Sequence, residues 1–230
     1  MKFGGLQKLT LLDYPDKVAA TVFTVGCNFR CPFCHNLSLV CGGEEKLEEL
    51  TQDEVVQFLT KRGNVLEGVC VTGGEPLIQP DIEDFLIKVR SLGYKIKLDT
   101  NGAFPDKLAA LIEKGLVDYV AMDVKNSKEL YAATVDCTVD MAAIERSVDL
   151  LKSGVVDYEF RTTVTATFHT ADSIKSMAQW LSGAKMLYLQ QFVDSGDLID
   201  STVTGVDEAT LRKYCEIARE FLPNTHIRGV

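Results

Sequence analysis

Short apolar runs alternate along the chain with longer segments whose apolar residues recur every three or four positions. The runs are rich in Val, Ile, Tyr and Phe, and they are short enough to be buried strands of a parallel sheet. This pattern predicts six strands, over residues 18–25, 68–72, 94–99, 117–124, 158–164 and 186–192.

The segments between these runs have recognisable helix ends. Thr51 and Glu54 have the spacing of a capping box, and Pro105 suits the first turn of a helix. Glycines follow most of the segments, as they commonly do at helix C-termini. The pattern predicts helices over residues 51–62, 80–91, 105–115, 140–154, 170–183 and 207–222.

A strand followed by a helix, six times over, indicates an α/β fold with a parallel sheet and right-handed crossovers. A closed barrel of eight such units needs roughly 250 residues. This chain has 230, and its first predicted strand starts at residue 18. We therefore predict a partial (β/α)6 barrel in a single domain over residues 1–230, with a core at 18–192 and a C-terminal helix at 207–222. Residues 193–206 read as a polar, mobile loop.

Charge and hydropathy exclude several classes of partner. The chain has 24 Lys and Arg against 33 Asp and Glu, a net charge of −9. This excess of acid argues against nucleic acid or an anionic membrane as the main partner, because both need a basic surface. The longest apolar run, at 18–25, is far shorter than the ~20 residues that span a bilayer. We expect a soluble, cytoplasmic protein.

The cysteines are unevenly spaced. Of seven, four fall within residues 27–41. Cys27, Cys31 and Cys34 have the spacing CxxxCxxC on a loop directly after the first predicted strand. A 4Fe–4S cluster normally takes four cysteines, so three would leave one iron open to another ligand. Zinc, with His35 or Cys41 as its fourth ligand, is the alternative on spacing alone.

Unusual residues also end or follow the later predicted strands. Functional groups of parallel α/β barrels gather at the carboxyl ends of the strands. Each motif has an ordinary explanation on its own, as a turn or a surface ion pair, but their joint occurrence favours one site. The residues are Gly73, Gly74 and Glu75 after the second strand, Asp99 at the end of the third, Asp123 and Lys125 at the fourth, Arg161 in the fifth and Gln190 in the sixth.

On these motifs the chain resembles the radical S-adenosylmethionine superfamily. CxxxCxxC after the first strand and Gly-Gly-Glu-Pro after the second are the marks that carry the resemblance. Residues 27–36, 98–102 and 122–125 are more narrowly similar to the glycyl-radical-enzyme activating enzymes. The opening segment, 5–16, is similar to activating proteins of anaerobic ribonucleoside-triphosphate reductase.

The resemblance implies a role for each matching residue. Cys27, Cys31 and Cys34 would hold a 4Fe–4S cluster, with S-adenosylmethionine at its open iron. The resemblance leaves open whether a monovalent cation binds beside Asp99 and Asp123. The residues implied to contact S-adenosylmethionine are Phe33, which would pack on adenine, Asn36, Gly73, Gly74, Glu75, Asp99, Asp123, Lys125, Arg161 and Gln190.

The implied reaction is reductive cleavage of S-adenosylmethionine to a 5′-deoxyadenosyl radical, which generates a glycyl radical on a partner enzyme. The implied partner is anaerobic ribonucleoside-triphosphate reductase, and a flavodoxin or ferredoxin would supply electrons at low potential. Two alternatives stay open: a radical enzyme acting on a small molecule or another modification target, and a non-catalytic metal-binding or electron-transfer protein.

Overall fold

One sheet of nine strands organises the chain in the computed structural model, which describes residues 1–42, 49–194 and 196–230. Its order is β3-β1-β2-β4-β5-β6-β7-β8-β9, and β2 and β4 to β9 are parallel. The strands are Lys2–Thr10 (β1), Ala19–Thr24 (β2), Leu50–Thr51 (β3), Gly68–Gly73 (β4), Lys95–Thr100 (β5), Tyr119–Asp123 (β6), Asp157–Val164 (β7), Leu187–Gln191 (β8) and Thr225–Arg228 (β9).

The six predicted strands are confirmed, but the expectation that strands begin at residue 18 is wrong. β1 pairs antiparallel with β2, and β3 pairs antiparallel with β1. β9 extends the parallel sheet beyond β8. The pattern failed here because β1 buries fully only its two ends, Phe3 and Thr10, while β3 and β9 have two and four residues. Such edge strands have little apolar periodicity to detect.

The six predicted helices are confirmed, but each is shorter than its predicted range. Thr51 forms the expected capping box with Glu54, and Asp140 accepts a hydrogen bond from the backbone of Ala143. A short helix preceded by a 3₁₀ turn at Lys128–Leu130 was not predicted. The helices are Gln52–Thr60 (α1), Ile82–Ser91 (α2), Pro105–Glu113 (α3), Tyr131–Val135 (α4), Met141–Lys152 (α5), Ala171–Trp180 (α6) and Glu208–Arg219 (α7).

The two faces of the sheet differ in chemistry. One face packs against the apolar sides of the helices, where Phe85, Leu108 and Ile144 are completely buried. On the other face, the side chains of Lys97 and Glu159 are also almost completely buried, but they are charged. Buried charges require partners, and Glu159 has one in Arg228 of β9, at 3.0 Å. The partners of Lys97 lie towards the carboxyl ends of the strands and lead to the candidate site.

No helix within residues 1–42, 49–194 and 196–230 is both long enough and apolar enough to cross a membrane.

The missed strand β1 provides a test of the fold. Phe3 is completely buried and its ring lies 4.8 Å from that of Phe85, whereas Leu12, just beyond β1, is 90% exposed. Phe3→Ala leaves a cavity in the core, so we expect it to lower the free energy of unfolding by about 3–5 kcal/mol in urea denaturation. Leu12→Ala should change it by less than about 0.5 kcal/mol. Equal effects of the two substitutions would contradict the placement of β1.

Candidate active site

A cavity opens at the carboxyl ends of β2 and β4 to β7, where the predicted site residues were expected to meet. Its open space, including the mouth, is about 720 Å³. The residues that line it are Cys27, Phe29, Cys31, Phe33, Cys34, His35, Asn36, Val40, Thr72, Gly73, Gly74, Asp99, Thr100, Asn101, Asp123, Lys125, Arg161 and Thr163.

The loop after β2 carries the three cysteines to one side of this cavity. The Cys34 N–H donates to the Cys31 carbonyl at 2.9 Å, which folds the CxxC half into a turn. Burial raises the pKa of the Cys31 thiol to about 12 and also raises that of Cys27. Thiols in such surroundings stay protonated unless a metal replaces the proton, since metal coordination deprotonates them outright.

A second loop holds the cysteine loop from outside. The N–H groups of Ile199 and Asp200 donate to the carbonyls of Cys34 and Pro32, at 3.3 and 2.9 Å. The Asp197 carboxylate accepts from the Ser38 hydroxyl at 3.1 Å. The described part of the predicted mobile loop 193–206 is therefore bonded to the cysteine loop.

Gly73 and Gly74 bring the end of β4 against the end of β2. The Gly74 N–H donates to the Thr24 carbonyl at 2.9 Å, and the Glu75 N–H donates to the Gly26 carbonyl at 2.8 Å. Gly73 has a φ of +114°. A Cβ on Gly74 would lie 1.9 Å from the Gly26 oxygen, so no other residue fits there. The pair therefore fixes where the cysteine loop starts.

Glu75 lies behind the cavity wall and not on its surface. Its side chain is fully buried, and it accepts hydrogen bonds from the Thr100 hydroxyl at 2.8 Å and the Asn101 and Leu77 N–H groups at 2.6 and 3.0 Å. Burial raises its pKa to about 7, although these hydrogen bonds lower it. Glu75 ties the end of β4 to the end of β5, and its contact with a ligand amino group stays a prediction.

Five charged side chains of alternating sign form a ladder across β5, β6 and β7. Lys97 pairs with Asp99, and the Arg161 Nη1 is 3.0 Å from the other Asp99 oxygen. The Arg161 Nε is 2.9 Å from Asp123, whose second oxygen is 3.1 Å from the Lys125 Nζ. Three cations thus face two carboxylates, so this charge ladder has a net charge of +1, and two of its cations, Lys125 and Arg161, line the cavity.

The ladder keeps all its members ionised. Burial by itself raises the pKa of Asp99 and Asp123, but Arg161 and the neighbouring lysines more than offset it, so both pKa values fall below the ordinary value. Burial likewise lowers the pKa of Lys125, and Asp123 reverses this, so the net pKa is raised. These charges are permanent at neutral pH and can attract an anionic group such as a carboxylate.

A buried histidine supports the end of the ladder. His169 is 2% exposed; its Nδ1 accepts from the Thr165 N–H at 3.1 Å, so Nε2 is left to donate to the Lys125 carbonyl at 2.9 Å. Burial lowers the pKa of His169 to about 4, so it is neutral at physiological pH. It fixes the backbone of Lys125.

The donor set fits an iron–sulfur cluster. Among the described residues, no three histidine, cysteine or acidic side chains converge as ligands of one metal ion. In a cluster the cysteines bind different irons, so their sulfurs need only face one cavity, as Cys27, Cys31 and Cys34 do. The side chain of Cys41, the alternative fourth ligand, lies outside the described residues.

The structure brings together most of the predicted site residues. Cys27, Cys31, Cys34, Phe33, Asn36, Gly73, Gly74, Asp99, Asp123, Lys125 and Arg161 all line the cavity. Glu75 and Gln190 do not. Gln190 is half-buried in β8, where it pairs with Thr163 and Arg228. The segment after β1 lies next to the start of β2, since Thr10 pairs with Ala19, and so is at the opposite end of the sheet from the cysteines.

Sequence reasoning missed several residues of the site. Asn101 and Thr163 line the cavity, while Lys97 and His169 support it. A lysine two positions before Asp99 shares its face of β5, and this spacing was the available signal for Lys97. Nothing in the sequence marked His169, which is isolated from every motif.

The contacts of Lys97 and the other ladder cations also affect the expected binding of a monovalent cation. Each carboxylate oxygen of Asp99 and Asp123 already contacts an ammonium or guanidinium group. A metal cation there would have to displace one of these groups or add to a site that is already positive. The cation remains a prediction.

Comparison with known proteins identifies the family. The model of the family described as the radical SAM superfamily matches residues 21–181, which include the cysteine loop and the whole charge ladder. The chain belongs to the radical SAM superfamily. Membership implies a 4Fe–4S cluster and S-adenosylmethionine, and the protein is an enzyme of this type.

Two relatives narrow the type of radical SAM enzyme. A protein of Methanocaldococcus jannaschii described as a "Putative glycyl-radical enzyme activating enzyme" is 31% identical over 98% of this chain and 95% of its own length. The pyruvate formate-lyase-activating enzyme of Listeria monocytogenes is 32% identical over 53% of this chain and 52% of its own. The radical SAM chain is thus of the activating-enzyme kind.

Solved structures support the radical SAM fold. Streptococcus suis SuiB bound to its precursor peptide SuiA aligns with 91% of this chain and 48% of its own, with a TM-score of 0.72 and 15% identity. At this identity the likeness concerns the fold alone.

The glycine pair gives a test of this radical SAM site. Gly74→Ala places a methyl group against the Gly26 carbonyl, so we expect the two loops to be forced apart and most of the reconstituted iron to be lost. The overpacking should also cost about 1–3 kcal/mol of stability. Gly63→Ala is the matched control, because no atom lies within 4 Å of its added Cβ. Full iron content in Gly74→Ala would refute the proposed constraint.

Proposed function

We propose that this enzyme generates a glycyl radical on a partner enzyme, and that anaerobic ribonucleoside-triphosphate reductase is that partner. The observation that carries the proposal is a single cavity that combines three cysteines with a positively charged ladder. The near full-length similarity to an activating enzyme supports it. The similarity of residues 5–16 to activating proteins of the reductase supports the choice of partner.

We propose Cys27, Cys31 and Cys34 as the ligands of the cluster. Lys125 and Arg161 would hold the methionyl carboxylate, since they supply the positive charge of the cavity. Phe33 is buried against Phe168, with ring centroids 5.9 Å apart, and offers an apolar surface for adenine. Gly73 and Gly74 leave room for the backbone to approach the ligand. Asn36 would lie near the open iron.

When bound, the cluster would supply the electron for reductive cleavage of the sulfonium carbon–sulfur bond. The products would be methionine and a 5′-deoxyadenosyl radical, which would take a hydrogen atom from a glycine of the partner. The residues of the chain hold the ligand in the cavity. The reaction therefore does not require a separate bimolecular encounter. The apolar walls, including Phe29, Phe33 and Val40, exclude water from the reacting centre. We propose a flavodoxin or ferredoxin as the electron donor. We also propose that residues 1–230 form one domain.

The central experiment is anaerobic reconstitution with iron and sulfide. With dithionite and S-adenosylmethionine we expect 5′-deoxyadenosine from the wild type and none from Cys31→Ala, which should also lose its cluster. Cys215→Ala is the control and should retain both, because Cys215 lies on the buried face of α7 and does not line the cavity. Absence of 5′-deoxyadenosine from an iron-loaded wild type would refute the enzymatic proposal.

The partner is tested separately. The reconstituted enzyme is mixed with anaerobic ribonucleoside-triphosphate reductase, S-adenosylmethionine and reductant, and the glycyl radical is sought by electron paramagnetic resonance. A doublet that requires all components supports the proposal. Formation of 5′-deoxyadenosine without a radical on the reductase would contradict this partner while leaving radical chemistry intact.

The ladder gives a prediction about binding. Lys125→Gln removes one cation that we assign to the ligand carboxylate, while Arg161 still neutralises Asp123. We expect the Kd for S-adenosylmethionine, measured by equilibrium dialysis, to rise about 10- to 100-fold. Lys128→Gln is the matched control, since Lys128 lies three residues away in an exposed pair with Glu145. An unchanged Kd in Lys125→Gln would remove Lys125 from the site.

A further inference from the structure

Asn101 lies at the end of β5 with its side-chain amide turned towards a cysteine of the proposed cluster. The residue is 6% exposed and lines the cavity. Its Nδ2 is 3.8 Å from the Cys27 Sγ and 2.8 Å from the Asn28 Oδ1. Neither the motif analysis nor the proposed mechanism assigns it a role.

The orientation of this amide is fixed by its other contacts. The Asn101 Oδ1 accepts a hydrogen bond from the Ala103 N–H at 3.0 Å, so the oxygen faces away from the cysteine. The opposite end must then be the NH₂ group, which donates towards Cys27. The Asn101 backbone N–H is held by Glu75 at 2.6 Å, which explains what the buried Glu75 carboxylate stabilises.

Cys27 therefore receives two N–H donors. The Phe29 backbone N–H lies 3.4 Å from its sulfur, in addition to the Asn101 amide. Hydrogen bonds to cysteine sulfurs are among the factors that set the reduction potential of iron–sulfur clusters. They stabilise negative charge, and the reduced cluster carries one more negative charge than the oxidised cluster.

We infer that Asn101 is a positioning residue that raises the reduction potential of the cluster through Cys27. The inference rests on the proposed function only in requiring a cluster on the three cysteines. Through Glu75, the Gly-Gly-Glu-Pro turn and the Cys27 sulfur belong to one hydrogen-bonded chain. The ease of the first electron transfer is thus set partly by a residue outside the cysteine loop.

The test is a redox titration of the reconstituted cluster in the absence of S-adenosylmethionine. Electron paramagnetic resonance measures the amount of reduced cluster at each potential. Asn101→Ala removes one donor, so its midpoint potential should be more negative than that of the wild type. Asn101→Asp replaces the donor with a carboxylate, which adds a negative charge, and should shift the potential further in the same direction. Iron and sulfide contents are measured on every sample.

Two further variants make the titration decisive. Asn101→Ser is included in case Asn101→Ala fails to assemble a cluster. Its hydroxyl can still accept a hydrogen bond from the Ala103 N–H but is too short to reach Cys27. Its midpoint potential should therefore also be more negative than that of the wild type. Asn224→Ala is the control, since Asn224 is exposed and donates only to the Lys185 carbonyl at 3.2 Å. Its potential should equal that of the wild type.

The possible failures can be told apart. A wild type that assembles no cluster overturns the proposed function and this inference with it. A normal wild-type cluster whose potential is unchanged in the Asn101 variants overturns the inference alone. A positive shift in Asn101→Ala would show that the amide does not stabilise the reduced state.

Discussion

The alternation of charge across β5, β6 and β7 is the constraint on which the site depends. Arg161 in the middle of the ladder is held by both aspartates, and each aspartate is held by a second cation. Removing one member of a buried ion pair typically costs about 3–5 kcal/mol, because it leaves an uncompensated charge. The ladder is therefore costly to alter piecemeal. It places two cations, Lys125 and Arg161, at the cavity although the whole chain is acidic.

The cysteine loop is positioned against this ladder by backbone contacts as well as by the packing of Phe29 and Phe33. The Gly73–Gly74 turn bonds to the carbonyls of Thr24 and Gly26, immediately before Cys27. On its other side, the loop after β8 bonds to the carbonyls of Pro32 and Cys34. Two loops distant in sequence thus hold a segment that has no regular structure of its own from residue 25 to 37. Rigid support of this kind is what precise placement of a cofactor requires.

The sequence predicted the centre of the fold better than its edges. Buried parallel strands such as 18–25 and 117–124 are mostly apolar, so their pattern survives in the sequence. β1 and β9 lie at or near the sheet edges, where few positions are buried and the apolar pattern is weak. Their discovery depends on pairing partners that are remote along the chain.

The same distinction applies to the site. Residues at strand ends within short motifs, such as Asp123 and Lys125, were found because the barrel brings all carboxyl ends to one side. Glu75 was found in the same way, but its motif gave no indication that Thr100 and Asn101 would donate hydrogen bonds to its carboxylate. Lys97, His169 and Asn101 act through neighbours. Lys97 had a local signal in its spacing of two from Asp99, but the contacts of His169 and Asn101 are set by tertiary packing that no local spacing encodes.

We propose that the cysteines and the charge ladder together bind S-adenosylmethionine at a cluster with an open iron. The most direct measurement is the electron paramagnetic resonance spectrum of the reduced, reconstituted protein, recorded before and after saturation with S-adenosylmethionine. Coordination at the open iron predicts that the signal changes its g values on addition. An unchanged signal from a fully loaded cluster would contradict the claim.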